Sequence, residues 1–170
     1  MIQLRLTEKL RKEVGIKPSS LIDPLEDGDG LGHWTLNLFQ VGRSKAIIFV
    51  NDKTLYSFVL YGLRKNNSSK LAELFMNGLV QLLEIDGFSD SEIIQLVGSS
   101  TELAFTKTNS RKVLGNINDL IFHYQVSVGD AGGFEYADIG AIIHRVNRMP
   151  QRNIGWSYSI DAVKDLLKNA

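Results

Sequence analysis

The chain has 170 residues, 44% of them hydrophobic and 22% charged, which suits one globular domain able to bury a core without a metal or a disulfide. Nineteen basic residues balance nineteen acidic ones, so no whole-molecule field draws in nucleic acid or an anionic membrane, and only a local patch could do so. The absence of cysteine excludes disulfides, thiolate metal sites and cysteine nucleophiles together.

In chain order, Ile2, Leu4 and Leu6 alternate with Gln3 and Arg5, the period of a short strand. Thr7 is placed to cap a helix over about 8–14, which Gly15 ends. Residues 17–32 hold two prolines, three glycines and four acids; they read as a connecting loop, the candidate mobile segment of the chain. HWTLNLFQV, AIIFVN and LYSFVLYG then follow one another across short turns. Loops this short join antiparallel neighbours, and the unbroken apolar run 46–50 suggests a middle strand covered on both faces.

From Ser68 the period becomes helical. Leu71, Leu74, Phe75, Leu79, Leu82 and Leu83 share a stripe, with Ser68 or Ser69 as the cap and Gly87 as the stop. Ser89 and Glu92 have the spacing of a capping box for the next helix. ELAFTKT reads as a strand returning to the sheet. Ser110 opens a helix to about Val126, residues 138–148 form another after the turn GDAGG, and a last one covers about 160–168. The expected fold is one α+β domain over 1–170, an antiparallel sheet of four to five strands with four to six helices packed mainly on one side. The longest apolar runs fall far short of the ~20 residues that cross a bilayer. The first residues lack the apolar stretch of a secretory signal, so the expected location is the cytoplasm, with no membrane contact.

Three segments, HWTLNLF, RSKAIIFVND and TNSRKVLGNIND, resemble in that order an uncharacterised bacterial family known only as a domain of unknown function. That family carries a Trp-x-x-Asn-Leu strand, matched by Trp34 and Asn37, then an Arg-Lys hairpin and a Phe-Val-Asn strand. A later Asn-Arg-x-Val-Leu-Gly-x-x-Asn-Asp segment is matched here with Ser110 standing between Asn109 and Arg111, one register off. The likeness spans 33–119 and implies a single bacterial domain, with no reaction, cofactor or partner.

Two groups of residues carry chemistry. On the helix after Ser110, Lys112, Asn116, Asp119 and His123 share one stripe. A carboxylate at Asp119 could orient the His123 imidazole as a general base requires, yet the same spacing describes an ordinary solvated face. Gly115 is out of place in a helix interior, where glycine costs ~1 kcal/mol against alanine; a close approach of another backbone or of a ligand would explain it, and packing is the simpler of the two. Arg111, at the helix start, either pairs with a carboxylate or helps bind an anion. The second group is HRVNRMPQRN, in which Arg145, Arg148 and Arg152 precede Trp156 and Tyr158 with no acid between Gly140 and Asp161. Arginines beside aromatics hold phosphates and stack bases. They also suit the negative end of a helix and pairing with the acidic loop at 23–30.

His33, His123 and His144 lack metal-ligand spacing, so no metal site is expected, and no cofactor motif is present. Asn51 and Asp52 are read as turn residues. Taken together, the sequence favours a non-enzymatic binding module that meets nucleic acid or protein through 144–156. The alternative is a small hydrolase or nucleotide-processing enzyme using Asp119 and His123, with the arginines holding an anionic substrate.

Overall fold

A computed structural model describes residues 1–25, 29–62, 68–98, 102–108 and 110–168. Part of the acidic loop (26–28), Asn109 of the family-like segment and the side chain of Ser68 lie outside the described residues. Strands β1 (Ile2–Leu6), β2 (His33–Val41), β3 (Ser44–Asn51), β4 (Ser57–Tyr61) and β5 (Leu103–Lys107) form one sheet in the order β4–β3–β2–β1–β5. The β2–β3–β4 meander is antiparallel, as its short turns require. β1 is different: Leu6 lies beside Leu36 of β2 and Lys107 of β5, and both pairings are parallel. The sheet is therefore mixed, and the antiparallel expectation holds only for the meander. The reason is the length of the connections, because the segments leading from β1 to β2 and from β4 to β5 are long enough for crossovers.

The helices are α1 (Glu8–Val14), α2 (Ser68–Ile85), α3 (Asp90–Val97), α4 (Arg111–Asp130), α5 (Ile139–Val146) and α6 (Ser159–Lys168). Thr7 caps α1, and Gly15 ends it with φ of 76°. The capping box of α3 forms as its sequence suggests, with the Ser89 amide donating to Glu92 Oε1 at 2.9 Å. That hydrogen bond lowers the Glu92 carboxyl below its ordinary range.

Strand alternation divides the side chains between two faces. One carries Trp34, Phe49 and Phe58 against Phe75 of α2, with Phe49 and Phe58 stacked at 4.7 Å and Trp34 edge-on to Phe75 at 5.2 Å. A Cβ on Gly78 would come within 2.8 Å of the Phe58 ring, so α2 approaches this closely only because residue 78 is glycine. α1 lies on the same side, where Glu13 accepts from Lys45 at 2.8 Å. The opposite face is covered by α4: the Tyr124 hydroxyl meets Ser57 Oγ at 2.9 Å, and Phe134, just beyond the helix, stacks on Tyr61. Helices thus cover both faces, where the sequence suggested mainly one.

β1 shows why its alternating pattern was deceptive. All five of its residues are buried, Gln3 and Arg5 included. The loop after α1 is tied down as far as it is described: the Ile22 amide donates to Phe105 O at 3.0 Å, and Leu25 O accepts from Arg5 Nη2 at 3.2 Å. No helix of the described residues is long and apolar enough to cross a membrane.

Candidate binding surface

α4 is set by Ser110, whose Oγ accepts from the Val113 amide, and by the buried series Ile117, Leu120, Ile121, Tyr124 and Val128. The opposite side of this helix stays wet, and Asp119 and His123 are both exposed. No hydrogen bond joins them; the His123 ring instead lies edge-on to that of Phe122 at 6.1 Å. Arg111 is exposed and makes no ion pair among those residues. At Gly115 nothing lies within 4 Å of where a Cβ would stand, so close packing does not explain the glycine.

α5 begins at Asp138, whose carboxylate accepts from the Ala141 amide at 3.0 Å, and buries Ile142, Ile143 and Val146. The segment beyond it is pinned by Asn147. Its amide accepts from the Ser57 backbone N–H at 2.9 Å and donates to the Ser57 carbonyl at 2.8 Å, satisfying both backbone polar groups of Ser57 on the free side of edge strand β4. Asn147 is fully buried, and its own carbonyl accepts from the Ile160 amide at 3.0 Å. This side chain docks the C-terminal quarter of the chain onto the sheet. Nothing in RVNRM distinguishes it from a surface asparagine.

The predicted arginines separate at this point. Arg148 turns inward to Asp86 at 3.2 Å and donates to His144 O at 3.0 Å. The Asp86 carboxylate is almost wholly buried and also accepts from the Tyr56 hydroxyl. Burial, reinforced by that carboxylate, pushes the Tyr56 hydroxyl far above its ordinary range. Arg148 therefore neutralises a buried acid just past the end of α2 instead of the acidic loop. Arg145 stays at the surface and donates to Ser127 Oγ on α4, and Asn153 donates to Asn116 Oδ1 on the same helix. Asn116 and Ser127 bracket Asp119 and His123 in sequence. The two groups of candidates thus lie on adjoining ground, with Arg145 and Asn153 as the links.

Beyond Pro150 the chain forms a small hairpin of β6 (Pro150–Gln151) and β7 (Ser157–Tyr158) around a 3-10 turn, Arg152–Ile154. Gly155 and Trp156 both take left-handed backbone angles, φ 67° and 64°, and the Trp156 amide donates to Gln151 O at 2.8 Å. For a residue with a Cβ this conformation costs about 1–2 kcal/mol. Trp156 is 65% exposed, on the same hairpin as the exposed Arg152 and Tyr158.

A second polar group escaped sequence reasoning. On the α4 face of the sheet, the Arg5 guanidinium donates to Asp52 Oδ2 at 2.9 Å and to Gln3 Oε1 at 3.0 Å, and Thr35 donates to Asp52 Oδ1 at 2.6 Å. Burial raises the Asp52 carboxyl above its ordinary range, against the opposing effects of Thr35 and Arg5. Asn51 is the turn former its position suggests, accepting from the amides of Lys53 and Thr54. Asp52 instead faces inward. Gln3 and Arg5 of β1 had the alternation of a solvent-facing side, which hid the cluster.

These features define a mixed-sheet α+β domain whose exposed polar ground lies along α4 and the C-terminal hairpin. The chain belongs to the family described as a domain of unknown function, DUF6933, whose model matches residues 3–162 and so takes in all five strands of the sheet but for the first residue of β1. Comparison with curated proteins finds no match.

Proposed function

We propose that this protein is a non-enzymatic binding module that takes single-stranded nucleic acid across the surface formed by 144–156 and the facing stripe of α4. The observation that carries the reading is Trp156. An exposed tryptophan held in a left-handed conformation, on the same hairpin as Arg152 and Tyr158, is costly to keep unless something stacks on it. Arg145, Arg152 and Lys112 supply cations for a phosphate backbone, and sequence-tolerant stacking on aromatics is the usual partner of such charge. Arg148 is set aside, being committed to Asp86. The bacterial and cytoplasmic setting expected from the sequence belongs to this proposal, and fractionation of cells producing the protein tests the location.

Trp34 is fully buried, so fluorescence quenching on ligand addition reports Trp156. Single-stranded oligonucleotides should quench it, with affinity falling steeply as salt rises. Trp156→Ala should cost about 1–3 kcal/mol of binding, and the Arg145→Ala, Arg152→Ala pair should flatten the salt dependence. No binding at low salt overturns the reading.

The alternative, a small hydrolase or nucleotide-processing enzyme, draws on the placement of Arg145 at Ser127, one turn beyond His123. It needs Asp119 and His123 to act together, and their exposure without a mutual hydrogen bond favours the binding module. Nucleotide turnover that disappears in His123→Ala would reverse that preference.

A further inference from the structure

We propose that a cleft beyond the C-terminal ends of β1 and β5 binds a small molecule with an anionic head, phosphate or carboxylate, and a short apolar body. The place follows from the topology. β1 and β5 are parallel neighbours ending at Leu6 and Lys107. The chain leaves β1 into α1 on the α2 side of the sheet, where Glu13 meets Lys45, and leaves β5 into α4 on the other side, where Tyr124 meets Ser57. Two adjacent parallel strands whose connections diverge to opposite faces leave a crevice between them, and open sheets bind ligands there.

The crevice is present, with a volume of about 330 Å³, at the small end of the range for ligand pockets. Leu6, Pro18 and Leu21 supply its apolar lining. The wall carrying Leu21 is anchored: the Leu21 amide donates to Pro18 O at 3.2 Å, and the Ile22 amide to Phe105 O at 3.0 Å. The polar lining is Arg11, Lys107, Thr108 and Glu8. Arg11 is held in place by donating to Ile16 O at 2.8 Å, and its side chain is only 14% exposed. Glu8 lies 3.9 Å from Arg11 but 3.2 Å from Lys12, so the one lining carboxylate is shared with a cation outside the cleft. Lys107 is exposed and makes no ion pair among the described residues. Two cations facing one shared carboxylate leave the cleft net positive, and the Thr108 hydroxyl adds a donor. That combination, beside a leucine and proline wall, selects an anion with a short hydrocarbon portion.

The experiment is calorimetric titration of the full chain with butyl phosphate, pentanoate and butanol. Saturable binding of at least one of the two anions is expected, and which of them binds distinguishes a phosphate site from a carboxylate site. Lys107→Gln should weaken it about tenfold, the loss of one charge-assisted contact, and Thr108→Glu should abolish it by placing a second carboxylate in the cleft. Both positions are at the surface end of β5, and unchanged thermal unfolding of each variant shows that folding is intact. Arg152→Ala, on the hairpin surface, should leave this binding unchanged, so failure here is separable from failure of the nucleic-acid reading. Failure of both anions to bind, butanol binding as well as they do, or full retention of affinity in Lys107→Gln overturns the proposal.

Discussion

Two regions of this molecule use arginine to opposite ends. Arg5, inside the sheet, spends its guanidinium on Asp52, Gln3 and Leu25 O, and both members of its ion pair are nearly sealed, with side chains 11% and 13% exposed. Arg145 and Arg152 lie at the surface, and Arg145 donates to a single serine hydroxyl. The difference teaches that partner number, more than residue type, separates a polar group that holds the fold from one available to a ligand. Arg148 marks the boundary, because it sits among the surface arginines by sequence and with Arg5 by contact.

The sharpest way to break this comparison is to remove Arg5. Arg5→Ala should cost about 3–5 kcal/mol, because it strands a buried carboxylate. A double variant replacing Arg5 by Met and Asp52 by Leu should recover most of that loss, since the desolvation of both charges disappears with them. Equilibrium denaturation of the three proteins measures it, and a double variant as unstable as the single one would contradict the account. The pH dependence has a definite sign. Burial lifts the folded-state value of Asp52 above the unfolded one. Its favourable contribution is therefore complete below the unfolded value and is lost as pH rises through the raised folded value. The deficit of Arg5→Ala should accordingly shrink in acid, where a protonated Asp52 needs no cation.

The meander, the helix order and the capping box at Ser89 were legible because each rests on local pattern: short turns, helical spacing, a serine and glutamate three apart. Membership of a family of unknown function was legible too. The parallel pairing of β1 was not, since strand direction across a long crossover leaves no local mark. Nor was the Arg5 cluster, because Gln3 and Arg5 obey the alternation of a half-exposed strand and are buried by chain distant in sequence. Of the candidate surface, the residue types were legible and their grouping was not. Asn116 with Asn153, and Ser127 with Arg145, are pairs that only folding creates.

A smaller contrast sets two helical glycines against each other. Gly78 faces the Phe58 ring, where an added Cβ would stand at 2.8 Å, whereas Gly115 faces open space. Gly78→Ala should destabilise by about 1–3 kcal/mol through overpacking of the aromatic core. Gly115→Ala should stabilise by up to ~1 kcal/mol, the propensity difference between the two residues in a helix. Thermal unfolding of both variants is the measurement. Opposite signs sharpen the distinction between buried and available positions; a loss at Gly115 would mean that its helix side is covered in a way the monomer does not reveal.

The smallest expected effect on stability is the most informative about function. Trp156 occupies a left-handed conformation that asparagine tolerates better, and most of its side chain is in solvent. Trp156→Asn should therefore leave stability unchanged or raise it by a few tenths of a kcal/mol, while nucleic-acid binding falls by the stacking contribution of about 1–3 kcal/mol. A residue whose replacement helps the fold and harms binding is kept for the ligand. If Trp156→Asn instead unfolds the hairpin, the indole belongs with Arg5 and Arg148 among the groups that hold the structure, and the stacking surface must be sought along Phe122 and Tyr158.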